Sequence, residues 1–192
     1  MCLVIDQHIH DKKLKNSDST KFLVAKSDIV CYKRLDPRIS DPHSYTTPYQ
    51  DVIVDFSHGV GEIRSSKYGW YVPFSISFAD CHWNIHEGVH SYVEFDDIYS
   101  SLGGQFMFTA VIPKGSKYYF GRWGDIVSEK LIIFENSTAF YNYIRGRRMV
   151  TAKWLYSNLI LDKEDRDSVF FMSIKNIFKN KSDLVYWVDS RR

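Results

Sequence analysis

The sequence predicts an α+β fold in which a single, mainly antiparallel, β-rich core is followed by C-terminal helices. Three observations carry this prediction. Aromatic residues make up 16% of the 192 residues, and aromatic side chains fit the pleated, half-buried surface of a sheet. Short β-type runs recur between turn signals up to residue 134. Beyond that point the apolar residues take on helical spacing instead.

These changes in pattern divide the chain into three parts. Residues 1–21 form an N-terminal polar segment that includes the turn-prone run DKKLKNSDST. Residues 22–134 form the β-rich core domain, and residues 135–192 form a basic helical segment that is packed on the core or appended to it. A chain of this length can bury a sizeable core without a metal ion or a disulfide.

Six β-type runs are predicted within the core domain. They cover residues 28–32, 51–56, 70–78, 91–95, 106–112 and 130–134. One short helix is expected in FDDIYSSLGG, where Asp96 or Asp97 can cap the start and Gly103 can end it. Because only this helix interrupts the strands, a mainly antiparallel sheet is favoured over repeated β-α-β units.

Two helices are predicted after residue 134. Asn136 and Ser137 are good N-cap residues for a helix that runs through Ile144 to Val150. A second helix over 165–179 places Val169, Ile174, Ile177 and Phe178 on roughly one face.

The distribution of charge indicates where an anionic partner would bind. Residues 1–134 carry 14 basic and 16 acidic residues, whereas residues 135–192 carry 11 basic and 7 acidic residues. Arg145, Arg147 and Arg148 are therefore candidate ligand-binding residues for a nucleic acid or an acidic partner. The net charge of +2 does not by itself indicate nucleic-acid binding.

Cysteine usage and hydropathy predict the compartment. Cys2, Cys31 and Cys81 are scattered and form neither a disulfide framework nor a CxxC site. No stretch approaches the length of a membrane-spanning helix, and the N-terminus has no basic leader before an apolar run. We therefore expect a cytoplasmic protein that does not enter the membrane.

A turn at Pro113-Lys114-Gly115 follows one of the predicted strands. Lys114 and the backbone amides near Gly115 could hold an anionic ligand, with Tyr118 of the following aromatic run as a further contact. The alternative is a purely structural turn, which is the ordinary role of Pro and Gly.

His86 to His90 spell H-E-x-x-H, in which two histidines one helical turn apart bind zinc and the glutamate activates water. This chemistry requires a helix. Gly88 and Val89 lie inside the motif and SYVEF follows it, so the segment has the character of a loop that leads into a strand. The motif thus leaves two alternatives: a zinc-dependent hydrolase, or a loop and strand without a metal.

Five motifs occur in a fixed order over residues 28–134: IVCYK, TTPYQ, IHEGVHSY, VIPKGSKYYFG and DIVSEKLIIF. In this combination the chain resembles a group of phage and gut-bacterial proteins to which no activity can be attached. The resemblance implies an accessory protein of a phage or bacterium, and the segment after residue 134 lies outside it.

A weaker resemblance is to mono-ADP-ribosyltransferases, on the order of Arg34, Ser75-Ile76-Ser77, the Pro113-Lys114-Gly115 turn and Glu129. The resemblance implies an NAD-binding cleft with Arg34, Ser75, Ser77 and Glu129 as site residues. That family places Glu or Gln two residues before the catalytic Glu, and the Ser128-Glu129-Lys130 run departs from its pattern.

No complete catalytic set is present in the sequence, so we interpret the chain as a non-enzymatic binding module. A protein partner is favoured and a nucleic acid is the alternative partner. The two enzymatic alternatives would use NAD or zinc as the cofactor.

Overall fold

The computed structural model describes residues 3–4, 23–48, 52–56, 58–64, 75–79, 82–86, 88–93, 105–121 and 125–160. These residues form fourteen strands and two helices. The strands are β1 (Leu3–Val4), β2 (Leu23–Val24), β3 (Asp28–Arg38), β4 (Asp41–Thr46), β5 (Ile53–Asp55), β6 (Val60–Arg64), β7 (Ser75–Ala79), β8 (His82–His86), β9 (Val89–Tyr92), β10 (Phe106–Ile112), β11 (Lys117–Phe120), β12 (Asp125–Ser128), β13 (Lys130–Phe134) and β14 (Met149–Thr151). The helices are α1 (Ser137–Ile144) and α2 (Ala152–Ile160).

Most of the strands belong to one large sheet. Eight of them follow one another in the order β2-β11-β12-β9-β3-β10-β13-β6, while β4, β5 and β14 pair beside this path. A separate three-stranded sheet has the order β1-β8-β7. The pairings between these strands are antiparallel except for that of β14 with β3, which is parallel. The predicted β-rich, mainly antiparallel core is therefore confirmed.

One face of the large sheet carries the main core. Successive side chains of a strand point to opposite faces, so Ile29, Cys31 and Leu35 of β3 lie together on this face, and Leu131 and Ile133 of β13 join them. Further buried side chains of the same cluster come from the loops and edge strands: Val52, Val54, Phe56 and Ile63. Tyr156 of α2 also packs here, with its ring 5.5 Å from that of Phe120.

The other face of the sheet is covered in part by α1. Asn136 caps this helix by accepting a hydrogen bond from the amide of Ala139 at 2.9 Å. Phe140 and Ile144 are four residues apart, so they lie on one side of the helix and pack with Phe134 and other buried residues of the sheet. Because both faces of β13 are buried, the sequence LIIF is continuously apolar.

The first predicted C-terminal helix is only partly correct. Its cap at Asn136 is confirmed, but the helix ends at Ile144 and does not reach Val150. Gly146 has a φ of 73°, a left-handed conformation that terminates helices. Residues 149–151 then pair with Asp28–Val30 of β3 as strand β14.

The predicted strands over 106–112 and 130–134 match β10 and β13. The run over 28–32 is the start of a longer strand, β3, and the runs at 51–56, 70–78 and 91–95 overlap β5, β7 and β9. Six strands of the large sheet were not predicted: β2, β4, β6, β11, β12 and β14. The helices expected at 96–103 and 165–179 lie outside the described residues. Within the part of the chain that the structure describes, no helix is long and apolar enough to cross a membrane.

Candidate functional site

Asp28, the first residue of β3, joins three separate segments of the chain. Its carboxylate Oδ1 accepts a hydrogen bond from the amide of Lys114 at 2.8 Å. Its Oδ2 lies 3.5 Å from Nη1 of Arg147. Its own amide donates to the carbonyl oxygen of Arg148 at 3.2 Å. The Asp28 side chain is buried, so these bonds stabilise a fixed junction at this end of the sheet.

The turn after β10 is attached to the same junction. The amide of Gly115 donates to the carbonyl oxygen of Ala25 at 2.8 Å. The amide of Ala25 in turn donates to the carbonyl oxygen of Ser116 at 3.0 Å. The amide of Ser116 donates to the carbonyl of Pro113 at 3.1 Å. Together with the Lys114 amide on Asp28, these bonds occupy the donors of the turn. The amides near Gly115, which the sequence suggested as ligand-holding groups, therefore have partners within the fold.

Arg147 is held on two sides. Its guanidinium carbon lies 4.2 Å from the centre of the Tyr143 ring, a distance typical of a cation–π contact. One guanidinium nitrogen also faces Asp28. About half of the Arg147 side chain stays exposed, at 51%, so the group is oriented by the protein while part of it remains open to a partner.

Five cationic residues lie on the segments that meet at the junction, and we refer to them as the basic surface: Lys26, Lys114, Arg145, Arg147 and Arg148. All five residues are exposed. They come from three connecting segments, 25–28, 113–116 and 145–148, whose one acidic residue is the buried Asp28. Among the described residues, the side chains of Lys26, Lys114, Arg145 and Arg148 have no hydrogen-bond or ion-pair partner. Clusters of exposed cations attract anionic partners.

Four of the five ligand-binding residues predicted from the sequence thus lie together, although Lys114 is separated from the arginines by some thirty residues. Tyr118 differs from the others. It is 8% exposed, belongs to the main core and makes an edge-to-face contact with Phe120 at 5.6 Å. Burial raises its pKa to about 12. Tyr118 is a core side chain and not part of the basic surface.

A second group of polar residues lies in the interior, on β3 and β9. The buried ammonium of Lys33 donates to the carbonyl oxygen of His90 at 2.6 Å, and burial lowers the pKa of Lys33 to about 8. Burial raises the pKa of the Cys31 thiol to about 12, which outweighs its hydrogen bond with Ser91 and the charge of Lys33. A thiol that stays protonated at neutral pH is a poor nucleophile, so this group has the character of a structural interior.

His90 belongs to the same interior group. Its Nδ1 is buried and has no hydrogen-bond partner among the described residues. Burial, followed by the charge of Lys33, lowers the pKa of His90 to about 4. His86 ends β8 in the three-stranded sheet, whereas His90 lies on β9 in the large sheet. Between them Gly88 has a φ of 111°. His86 and His90 therefore lie on two different strands and not on the one helix that zinc chemistry requires.

The residues of the transferase resemblance are distributed over both sheets. Arg34 lies on β3 with its guanidinium carbon 5.9 Å from the Tyr92 ring centre. Ser75 and Ser77 lie on β7, in the three-stranded sheet. Glu129 connects β12 to β13, and both its carboxylate and its amide bond to the backbone of Lys117, at 3.0 and 3.1 Å. In the strand order, β12 is separated from β3 by β9.

No group of three or more His, Cys, Asp or Glu residues that could hold a metal ion occurs among the described residues. Comparison of the chain with family models, curated proteins and solved structures gave no match.

Two residues of the junction were not recognised from the sequence, namely Lys26 and Asp28. Nothing in the sequence distinguishes Asp28 from an ordinary polar residue at the start of a strand. Its partners lie 86 and 119 residues further along the chain, so only the fold reveals its role.

Proposed function

We propose that the protein is a non-enzymatic binding module that engages an anionic partner through the basic surface. The observation that supports this most is the convergence of Lys114 and the 145–148 segment on the buried Asp28, which follows Lys26 by two residues. A single buried acid positions the three segments, while the exposed cations extend into solvent. Such an arrangement attracts and holds an anionic macromolecule.

The wider setting of this function belongs to the same proposal. We place the protein in the cytoplasm of a bacterial cell, as an accessory protein of a phage or bacterium with an α+β fold. A binding role also agrees with the interior polar group, because Lys33 and Cys31 are buried and the Cys31 thiol has a raised pKa.

Binding to immobilised heparin, a generic polyanion, tests the proposal. The test variant combines Lys114→Ala with Arg148→Ala, because the backbone atoms of these residues make the bonds to Asp28 while their side chains have no such role. The matched control is Arg38→Ala, which removes a cation from the opposite end of β3. We expect the double variant to elute at lower salt than the unaltered protein. The control should elute at the same salt concentration as the unaltered protein. Equal elution of all three proteins would contradict the proposal.

The two catalytic alternatives can be tested in the same preparation. A ligand present at a hundredfold its dissociation constant stabilises a protein by about 2.7 kcal/mol, which raises the melting temperature measurably. Stabilisation by NAD that is lost in Arg34→Ala would favour a transferase-like protein. Stoichiometric zinc that is lost in His90→Ala would favour a metal site.

A further inference from the structure

We infer that the partner of the basic surface is a nucleic acid, contacted through its phosphate backbone without reading of base sequence. This inference rests on the proposed function, since it names the chemical class of the anion that the same surface binds. Three features of the structure carry it.

The first feature is that the turn offers no preformed site for a single phosphate group. Compact phosphate sites use several free backbone amides that point at one anion. Here the amides of Lys114, Gly115 and Ser116 are bonded to Asp28, Ala25 and Pro113. Binding must therefore come from separate flexible side chains, which suits an extended anion with many charges better than an isolated phosphate or a mononucleotide.

The second feature is the position of the exposed apolar side chains. A specific protein interface needs an apolar centre with buried anchors. Among the residues whose exposure the structure describes, the large hydrophobic residues that are exposed include only one near the basic surface in sequence, Val24. Phe106 pairs with Leu35 and Val60 pairs with Phe134, so both lie at strand ends remote from Asp28. Ile39 follows β3, and Ile53 pairs with Thr46 beyond it.

Charge without an apolar centre favours a polyphosphate over a protein partner. Exposed ion pairs between proteins contribute little, whereas each contact with a nucleic-acid phosphate also releases a condensed counterion. The three arginines of the surface add to this, because the planar guanidinium group matches phosphate geometry. Arg147 is already oriented by its contact with the Tyr143 ring.

The third feature is that the cations stand on connecting segments. Reading of bases in a duplex normally uses a helix or a two-stranded ribbon that enters the major groove. The five cations lie on residues 25–28, 113–116 and 145–148, which are loops and turns between the described strands and after α1. Contacts from such segments reach the backbone and fix position without specifying sequence.

Fluorescence anisotropy with labelled oligonucleotides of two unrelated sequences tests the inference. We expect equal affinity for both sequences, and a loss of roughly a hundredfold between about 50 and about 200 mM salt if four contacts form. Lys114→Ala with Arg148→Ala should reduce the slope of log affinity against log salt by roughly 0.9 per lost contact for duplex DNA. Arg38→Ala should leave the slope unchanged.

Labelled polyglutamate and free inorganic phosphate as a competitor complete the design. If polyglutamate binds through the same surface and the oligonucleotides do not, the inference fails while the proposed function stands. Displacement of the oligonucleotide by millimolar inorganic phosphate would also overturn it, because a compact phosphate site would then exist. If neither polyanion binds, or if the affinity is the same in the double variant as in the unaltered protein, both the inference and the proposed function fail.

Discussion

The carboxylate of Asp28 accepts a hydrogen bond from the amide of Lys114 at 2.8 Å and thereby fixes the turn after β10 against the start of β3. The same carboxylate faces Arg147. A buried acid therefore orients the guanidinium group of Arg147 and fixes the backbone of Lys114, which both belong to the basic surface. This relationship connects the stability of the fold with its proposed ability to bind.

Replacing Asp28 tests that connection. Asp28→Ala removes both acceptors from a buried position, so we expect a loss of about 2 kcal/mol in the free energy of unfolding. Asp28→Asn keeps an acceptor for the Lys114 amide and should cost about 1 kcal/mol. Urea denaturation monitored by tryptophan fluorescence measures both values.

Asp36 provides a matched control at the other end of β3. Its Oδ1 accepts from the amide of Gln105 at 3.0 Å, in an exposed setting. Because water can replace that bond, Asp36→Ala should cost no more than about 0.5 kcal/mol. Equal losses for the Asp28 and Asp36 variants would show that the junction has no special stabilising role.

His90 should make stability depend on acid pH. Burial lowers its pKa from 6.5 to about 4 in the folded protein, whereas the unfolded chain binds the proton near pH 6.5. The unfolded state therefore gains protons first, and the folded state loses stability as the pH falls from 6.5 towards 4. The total effect should be on the order of 3 kcal/mol.

The variant His90→Gln removes this titration. We expect its unfolding free energy to change less between pH 7 and pH 4.5 than that of the unaltered protein, and the exposed His43 offers a control as His43→Gln. An unchanged pH slope in His90→Gln would refute the assignment to His90.

Lys33 should make the stability of the protein depend on alkaline pH. Burial lowers its pKa from 10.5 to about 8, so above pH 8 the folded protein carries a neutral amine while the unfolded chain remains protonated. Stability should therefore rise as the pH increases from 8 towards 10.5. Lys33→Met keeps the length of the side chain without the charge and should abolish the rise in denaturation experiments. A rise that persists in this variant would mean that another group causes it.

Gly61 allows β6 to pass close to Val54 and Phe56. A Cβ atom at this position would collide with Cγ1 of Val54 and lie 3.2 Å from the Phe56 ring. Both neighbours are buried, so we expect Gly61→Ala to cost about 1–3 kcal/mol. Combination with Val54→Ala should recover part of that loss if the collision is the cause. Additive losses in the double variant would point to another cause.

The parts of the fold that could be predicted are those whose signal is local. β10 and β13 are compact apolar runs between turn signals, and Asn136 is a good cap beside a helical pattern, so the sequence alone was sufficient for them. β14 could not be predicted, because residues 149–151 become a strand only through pairing with Asp28–Val30, more than a hundred residues earlier.

The candidate site, like the fold, could be predicted only where the signal is local. The arginines at 145, 147 and 148 and Lys114 are visible as basic residues in suggestive places, but their proximity depends on hydrogen bonds between distant segments. The reverse holds for His90, which resembles a metal ligand in the sequence. Its position on a strand of the large sheet, beside Lys33, makes it an interior residue instead.

Lysine acetylation followed by mass spectrometry, with and without a saturating oligonucleotide, tests the central claim most directly. The basic surface contains two lysines, Lys26 and Lys114, and both are exposed in the free protein. We predict that the oligonucleotide slows acetylation of these two residues and leaves the other lysines unchanged. Binding that leaves Lys26 and Lys114 fully reactive, or that protects a different group of lysines, would contradict the assignment of the basic surface as the binding site.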